Sequence, residues 1–206
     1  MKNKKAKFIK LVKIDINLVI KLLILSDVLI MGSAAMLSPI FALFIDEKIV
    51  TNNPELVAGT AISVFLFFKS VLQFPVSRFL DLRRGEKDDY YALVIFSIIM
   101  SLTPLLYFFV KYPIQLFVVQ ALFGIFTTFT YPSYQSIFTK HIDKKEESTE
   151  WGVYFTLTDL SSAFFAFIGG VISNYLGFYT LISIVCFISL LGSISLIPLK
   201  KYIYLK

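Results

Sequence analysis

Three residue classes are scarce in this 206-residue chain, and each scarcity removes a kind of protein. One cysteine, Cys186, cannot close an internal disulfide, so a secreted disulfide scaffold is excluded. Its place in an apolar run reads as that of a small hydrophobe in a helix. One histidine, His141, with no Cys/His cluster, leaves no metal framework; set in a loop full of charge, it reads as solvated. Charged residues make up only 17% and apolar ones 57%, against about 25% and about 45–50% in soluble domains. A soluble globule of this size cannot hide that much apolar surface, and the excess is gathered into long runs. A soluble enzyme and a disordered tail are excluded, and the chain reads as an integral membrane protein.

A helix needs about 20 apolar residues to cross about 30 Å of hydrocarbon. Six segments qualify, at about Leu22–Ile45, Leu56–Ser77, Tyr91–Val110, Ile114–Phe138, Trp151–Leu176 and Phe178–Leu199. They are too long and too continuously apolar for the alternating strands of a barrel. The fold class expected is therefore an all-α membrane protein of six transmembrane helices, residues 22–199. A basic cytoplasmic or interfacial segment, 1–21, precedes them and a basic cytoplasmic tail, 200–206, follows. Within the first segment, Lys2–Lys13 mixes six lysines with Phe8, Ile9, Leu11 and Val12. It reads either as an orientation signal or as a helix lying on anionic headgroups.

The net charge of +6 does not point to nucleic acid, because the basic residues sit in short loops beside the spans. Seventeen of the twenty Lys and Arg residues fall in the two tails and in the loops after spans two and four. Lys48 and Lys111 alone fall on the opposite side, and Lys69 lies within span two. The positive-inside rule then places both termini in the cytoplasm, as an even number of spans also requires. Tyr90, Tyr91, Trp151, Tyr175, Tyr179 and Tyr202 fall near span ends and read as headgroup-level anchors.

Charges inside the spans carry the mechanistic information. An Asp or Lys at a helix centre costs about 2.5–3.5 kcal/mol on insertion scales and should face protein or a water-filled cavity. Asp27 in span one and Lys69 in span two lie at comparable depth. Three readings stay open: a packing pair, a substrate or proton site, and an unpaired snorkelling Lys69. On span four Gln120, Gly124, Thr127, Tyr131 and Gln135 recur every three or four residues and form one polar stripe that must face inward. Asp159 in span five is a lesser pathway candidate, with Thr156 and Ser162 as neighbouring hydroxyls. Pro39, Pro75, Pro104 and Pro132 read as kinks. The candidate substrate or ion pathway is thus Asp27, Lys69, Gln120, Thr127, Tyr131 and Asp159.

The loop after span two reads Ser77-Arg78-Phe79-Leu80-Asp81-Leu82-Arg83-Arg84-Gly85. It resembles the Gly-x-Leu-Ala-Asp-Arg-x-Gly-Arg-Lys loop motif of the major facilitator superfamily. Asp81 matches the motif's Asp, Gly85 its second Gly one residue late, and Arg83 and Arg84 its basic residues. Ser77 stands at the first Gly position and Leu82 where Arg is usual. Span five ends Gly169-Gly170 … Tyr175-Leu176-Gly177-Phe178, which is also similar to that superfamily. The resemblance implies an MFS-type half bundle equivalent to the N-terminal six helices of a twelve-helix transporter. Gln120 and Phe123 stand where the drug/proton antiporters carry Arg and Gln, and Phe165-Ala166 replace a Gly-Pro before Gly169. Those departures weigh against drug/proton antiport and leave transport in general untouched.

What the resemblance implies is transmembrane transport of a small solute by alternating access at the plasma membrane. The expected partners are the lipid bilayer, the solute, and a second six-helix chain or a second copy; no cofactor or metal is expected. The alternative is a non-transporting accessory or truncated relative. Enzyme readings rank lower: Asp81, Asp88 and Asp89 lack a phosphatidyl-transfer framework, and no Gly-x-Ser-x-Gly with an intramembrane His or phosphate loop is present. Cysteine labels at Asn52 and Lys111 are expected to react from outside the cell, and labels at Gly85 and Lys145 only from the cytoplasm. External labelling at Gly85 would overturn the orientation.

Overall fold

The computed structural model describes residues 16–82 and 85–203. Most of the basic N-terminal segment, the motif residues Arg83 and Arg84, and the last three residues of the C-terminal tail lie outside the described residues. No strand occurs among those described. Six helices are long and apolar enough to cross a membrane: Leu18–Lys48, Pro54–Leu82, Glu86–Phe109, Pro113–His141, Glu147–Leu176 and Phe178–Ile203. These are spans one to six below. Most extend beyond the apolar runs, because helix ends recruit polar residues that hydropathy does not register. Glu86, Asp88 and Asp89 occupy the first turn of span three, where carboxylates favour the N-terminal end of the helix dipole. Span one begins after Asn17, whose side chain accepts the Ile20 N–H at 3.0 Å.

The prolines act in two ways. At Pro39 and Pro104 the α-helix tightens to a 3₁₀ turn, over Ser38–Ile40 and Thr103–Phe109. Pro75 and Pro132 instead lie inside unbroken helices. Four kinks were expected; Pro39 and Pro104 switch their helices to 3₁₀ hydrogen bonding, whereas Pro75 and Pro132 each remove one backbone donor without interrupting the helix. Gly177, at φ +79°, makes the one-residue turn between spans five and six, a backbone conformation that a Cβ disfavours.

Packing divides the bundle into two layers. Span two packs chiefly on four, span one on five and six, span three on four and six, and spans one and four touch more lightly. The front layer therefore runs two–four–one–five, with spans three and six behind it. Exchanging spans one to three for four to six maps these principal packings onto one another, as in an inverted repeat. Spans two and five form the flanks. Only 11% of the apolar stretch of either is buried, against 44% for span six.

Two apolar cores lie at the ends of the bundle. One gathers Met36, Phe44, Ile45, Leu116, Phe178 and Leu181. The other gathers Ile20, Leu23, Ile137, Phe138, Leu196 and Leu199. Between them the packing turns polar. Ser101 Oγ on span three lies 2.8 Å from Ser189 Oγ and 2.7 Å from Ser193 Oγ on span six, and these bonds join the helices of the rear layer. Cys186 is buried in span six, as its apolar setting implied.

Glycine sets the closest helix approaches. A Cβ on Gly169 of span five would lie 2.4 Å from the Met36 carbonyl oxygen of span one, and one on Gly124 of span four 2.6 Å from that of Phe65 on span two. Both clashes are with backbone, so neither yields to a rotamer change. Gly169→Ala is accordingly expected to destabilise the detergent-solubilised protein by about 1–3 kcal/mol in thermal unfolding. Gly152→Ala, on the same span with open space around it, should have no such cost. Equal effects would overturn this account of the contact between spans one and five.

Candidate functional site: a cavity with buried charges in the middle of the bundle

The polar middle of the bundle encloses two adjoining cavities. One, of about 190 Å³, is lined by Asp27, Met31, Lys69, Thr127, Tyr131 and Tyr134 among others. The other, of about 340 Å³, extends past Ser33, Ser38, Tyr107 and Gln120 to Ser189 of span six. Ile30, Ala34, Phe65, Met100 and Phe123 border both. Five of the six pathway residues named from the sequence, Asp27, Lys69, Gln120, Thr127 and Tyr131, line this space. Asp159 does not.

Asp27 and Lys69 take different partners. The Tyr154 hydroxyl of span five donates to Asp27 Oδ2 at 2.7 Å. Lys69 Nζ lies 5.2 Å from the centre of the Tyr131 ring and 5.9 Å from that of Phe65, within cation–π range. No ion pair among the described residues joins the two. The reason lies in the packing: span one lies against five and offers Asp27 a phenol, whereas span two lies against four and offers Lys69 aromatic faces. The packing pair considered from the sequence is absent, and two separately solvated charges border one cavity.

The remaining groups differ in how free they are. Gln120 is buried, and its Nε2 donates to the Tyr107 hydroxyl at 3.0 Å. Thr127 Oγ1 donates to the Phe123 carbonyl of its own helix at 2.7 Å and lies 3.7 Å from the Met100 sulfur. Tyr134, 5% exposed, keeps a hydroxyl with no hydrogen-bond partner among the described residues. Its ring lies 5.8 Å from that of Tyr154. The cavity thus presents a carboxylate, an unengaged phenol and an ammonium group within an aromatic wall, groups able to hold a small polar solute or a proton.

Asp159 lies on the exposed side of span five and bonds neither Thr156 nor Ser162. Sequence reasoning passed over Tyr107, Tyr134 and Tyr154. All three fall inside spans, where a phenol must find a partner within the protein, and that position was the available signal.

A second polar cluster ties the spans together at the end that carries both termini. Ser136 Oγ and Lys140 Nζ of span four reach Asp89 Oδ2 of span three at 2.7 and 3.0 Å. His141 was expected to be solvated. It is 8% exposed instead, with Nδ1 2.9 Å from the Ile137 carbonyl and Nε2 3.7 Å from Glu86 Oε2. Span four outruns its apolar stretch and carries the ring into the bundle. The Asn17 amide donates to the His141 carbonyl, which fastens span one to the same place. Tyr90 is likewise buried rather than placed at the headgroups, and its hydroxyl donates to the Ile197 carbonyl at 3.0 Å. In the loop motif, Asp81 is exposed at the end of span two. Gly85 starts span three at φ +137°, a conformation that glycine alone adopts readily.

Tyr154→Phe is expected to remove the donor to Asp27 and to cost about 1–3 kcal/mol in thermal unfolding. Tyr134→Phe, which deletes an unengaged hydroxyl, should be neutral or stabilising. The reverse order would mean that Asp27 has another partner.

Neither the curated proteins nor the solved structures contain a match to this chain. The family model described as Major Facilitator Superfamily matches residues 23–202, nearly the whole six-span bundle. This multi-pass membrane protein belongs to the Major Facilitator Superfamily.

Proposed function

We propose that the chain moves a small solute across the cell membrane by alternating access, with both termini in the cytoplasm and a second six-helix unit closing the cavity. The observation that carries this reading is the cavity itself: charged and phenolic side chains from spans one, two and four border one space in the middle of the bundle. A protein that only anchors or assembles other chains has no use for a charged cavity at that depth, where polar groups are costly and mark solute or ion pathways. Membership of a family of transporters supports it further. Enzymatic chemistry is not part of the proposal. The bound solute would lie between Asp27 and Lys69, with Gln120, Thr127 and Tyr131 along the wall, and tilting of the two six-helix units against each other would expose it to each side in turn.

A test that needs no knowledge of the solute is two-sided accessibility. In a Cys186→Ser background, Thr127→Cys in native membranes should react with a membrane-impermeant maleimide added to either side. Asp27→Asn should change the ratio of the two rates at least threefold, because it alters the charge that the closed states must bury. Labelling from one side alone, unchanged by Asp27→Asn, would overturn alternating access in favour of a static accessory protein.

A further inference from the structure

Two charges of opposite sign border the smaller cavity without neutralising each other. Asp27 Oδ2 accepts from the Tyr154 hydroxyl at 2.7 Å, and Oδ1 has no hydrogen bond among the described residues. Lys69 Nζ rests 5.2 Å from the centre of the Tyr131 ring and 5.9 Å from that of Phe65. Aromatic faces attract an ammonium group but do not give its three N–H donors an oxygen acceptor. Neither residue enters an ion pair among the described residues. Tyr134 lines the same cavity with its hydroxyl unpartnered. A carboxylate oxygen, an ammonium group and a phenol are thus left for whatever occupies the space.

The sum of these charges limits the occupant. Asp27 and Lys69 add up to zero. A solute of one sign would neutralise one of them and leave the other uncompensated in the interior, which is costly. An uncharged solute would leave both. A solute that carries one charge of each sign compensates both at once. Its ammonium end meets Asp27 Oδ1, and its carboxylate gives Lys69 a charge-assisted hydrogen bond in addition to the rings.

The adjoining cavity is the larger, at about 340 Å³, and most of its polar groups are already engaged. Ser33 Oγ donates to the Ile30 carbonyl at 2.8 Å, Ser189 Oγ lies 2.8 Å from Ser101 Oγ, and Gln120 Nε2 donates to the Tyr107 hydroxyl at 3.0 Å. What remains is a wall that includes Leu37, Phe41, Phe65, Phe123, Phe178 and Val185. Such a wall favours an apolar group and would strand a polar one without a partner. Phe65 and Phe123 border both cavities and mark the junction between the charged end and the apolar end.

We propose that the solute is a zwitterion of amino-acid type with a bulky apolar side group. Its charged end lies between Asp27 and Lys69, and its side group fills the cavity walled by Phe41, Phe123 and Phe178. The assignment rests on the transporter reading and names the substrate class of that same site.

The test measures equilibrium binding of radiolabelled L-phenylalanine and of L-alanyl-L-phenylalanine, two zwitterions with different charge spacing, to the purified full-length protein. At least one should bind. Unlabelled phenethylamine, 3-phenylpropanoate and glycine should each compete at least about tenfold less well than the unlabelled probe. The first two lack one charge each, and glycine lacks the apolar group. Lys69→Met should reverse the order of the probe and phenethylamine, and Asp27→Asn the order of the probe and 3-phenylpropanoate, because each variant leaves one charge to be matched. An unchanged order in a folded variant overturns the placement at these two residues. Competition in the native protein decides the class even where a variant fails to fold. Binding of neither zwitterion, or equal competition by a singly charged analogue, overturns the class, and equal competition by glycine overturns the apolar end. Two-sided labelling at Thr127→Cys without zwitterion binding would keep the transporter reading and remove this assignment alone.

Discussion

Hydrocarbon offers no hydrogen-bond partner, and the rest of this structure follows from that constraint. Every polar group within the bilayer must find its partner in the protein. Helices satisfy their own backbones, which leaves the side chains to arrange. Threonines and serines on the spans donate back to carbonyls of the preceding turn, as Thr127, Thr158 and Ser183 do. Other contacts reach across to another span: Ser101, which also donates to the Ser97 carbonyl, to Ser189 and Ser193, Gln120 to Tyr107, and Tyr154 to Asp27. These interhelical contacts concentrate in the middle of the bundle, while the apolar cores occupy its ends. Apolar side chains do little to distinguish one helix partner from another when lipid is equally apolar. Close approach at glycine and polar contacts do more.

The same constraint makes the cavity informative. Asp27 and Lys69 would be least costly if they neutralised one another, yet each is held by a separate group, a phenol for one and aromatic faces for the other. Two charges kept apart around an open space leave each one able to respond to a solute. The unengaged Tyr134 hydroxyl belongs to the same pattern, since a buried polar group without a partner is destabilising unless something else occupies the site. At the end of the bundle that carries both termini the reverse holds. Asp89 is engaged through Oδ2 by Ser136 and Lys140, and those contacts join spans three and four rather than line a path.

Legibility from the sequence followed the scale of the signal. Six runs of apolar residues announce six spans, because the cost of exposing polar backbone to lipid leaves few alternatives. Their ends were less legible, since Glu86, Glu147 and His141 extend the helices with side chains that hydropathy excludes. The spacing on span four grouped Gln120, Thr127 and Tyr131, which line the cavity, but it put Gln135 in the same inward stripe, and Gln135 is exposed. It did not show that Gly124, in the same stripe, is a contact point for span two. His141 and Tyr90 were misjudged for one reason: polarity near a helix end is compatible with solvent, headgroup and buried contact alike, and only neighbouring helices decide among them.

Composition and run length by themselves determined that this is a membrane protein of six helices, because solvation by lipid acts on each segment separately. The loop motif and helix endings carried the family resemblance for a similar reason: they are local patterns. Which partner each intramembrane charge takes was beyond the reach of the sequence. Asp27 faces Tyr154, more than a hundred residues away along the chain, because span one packs on span five, whereas Lys69 faces Tyr131 because span two packs on span four. Asp159 ranked below Asp27 as a pathway residue in the sequence, and the layering of the bundle placed it on an outer flank. Pairings of that kind depend on how whole helices cross, and the crossing is fixed only when all six have found their neighbours.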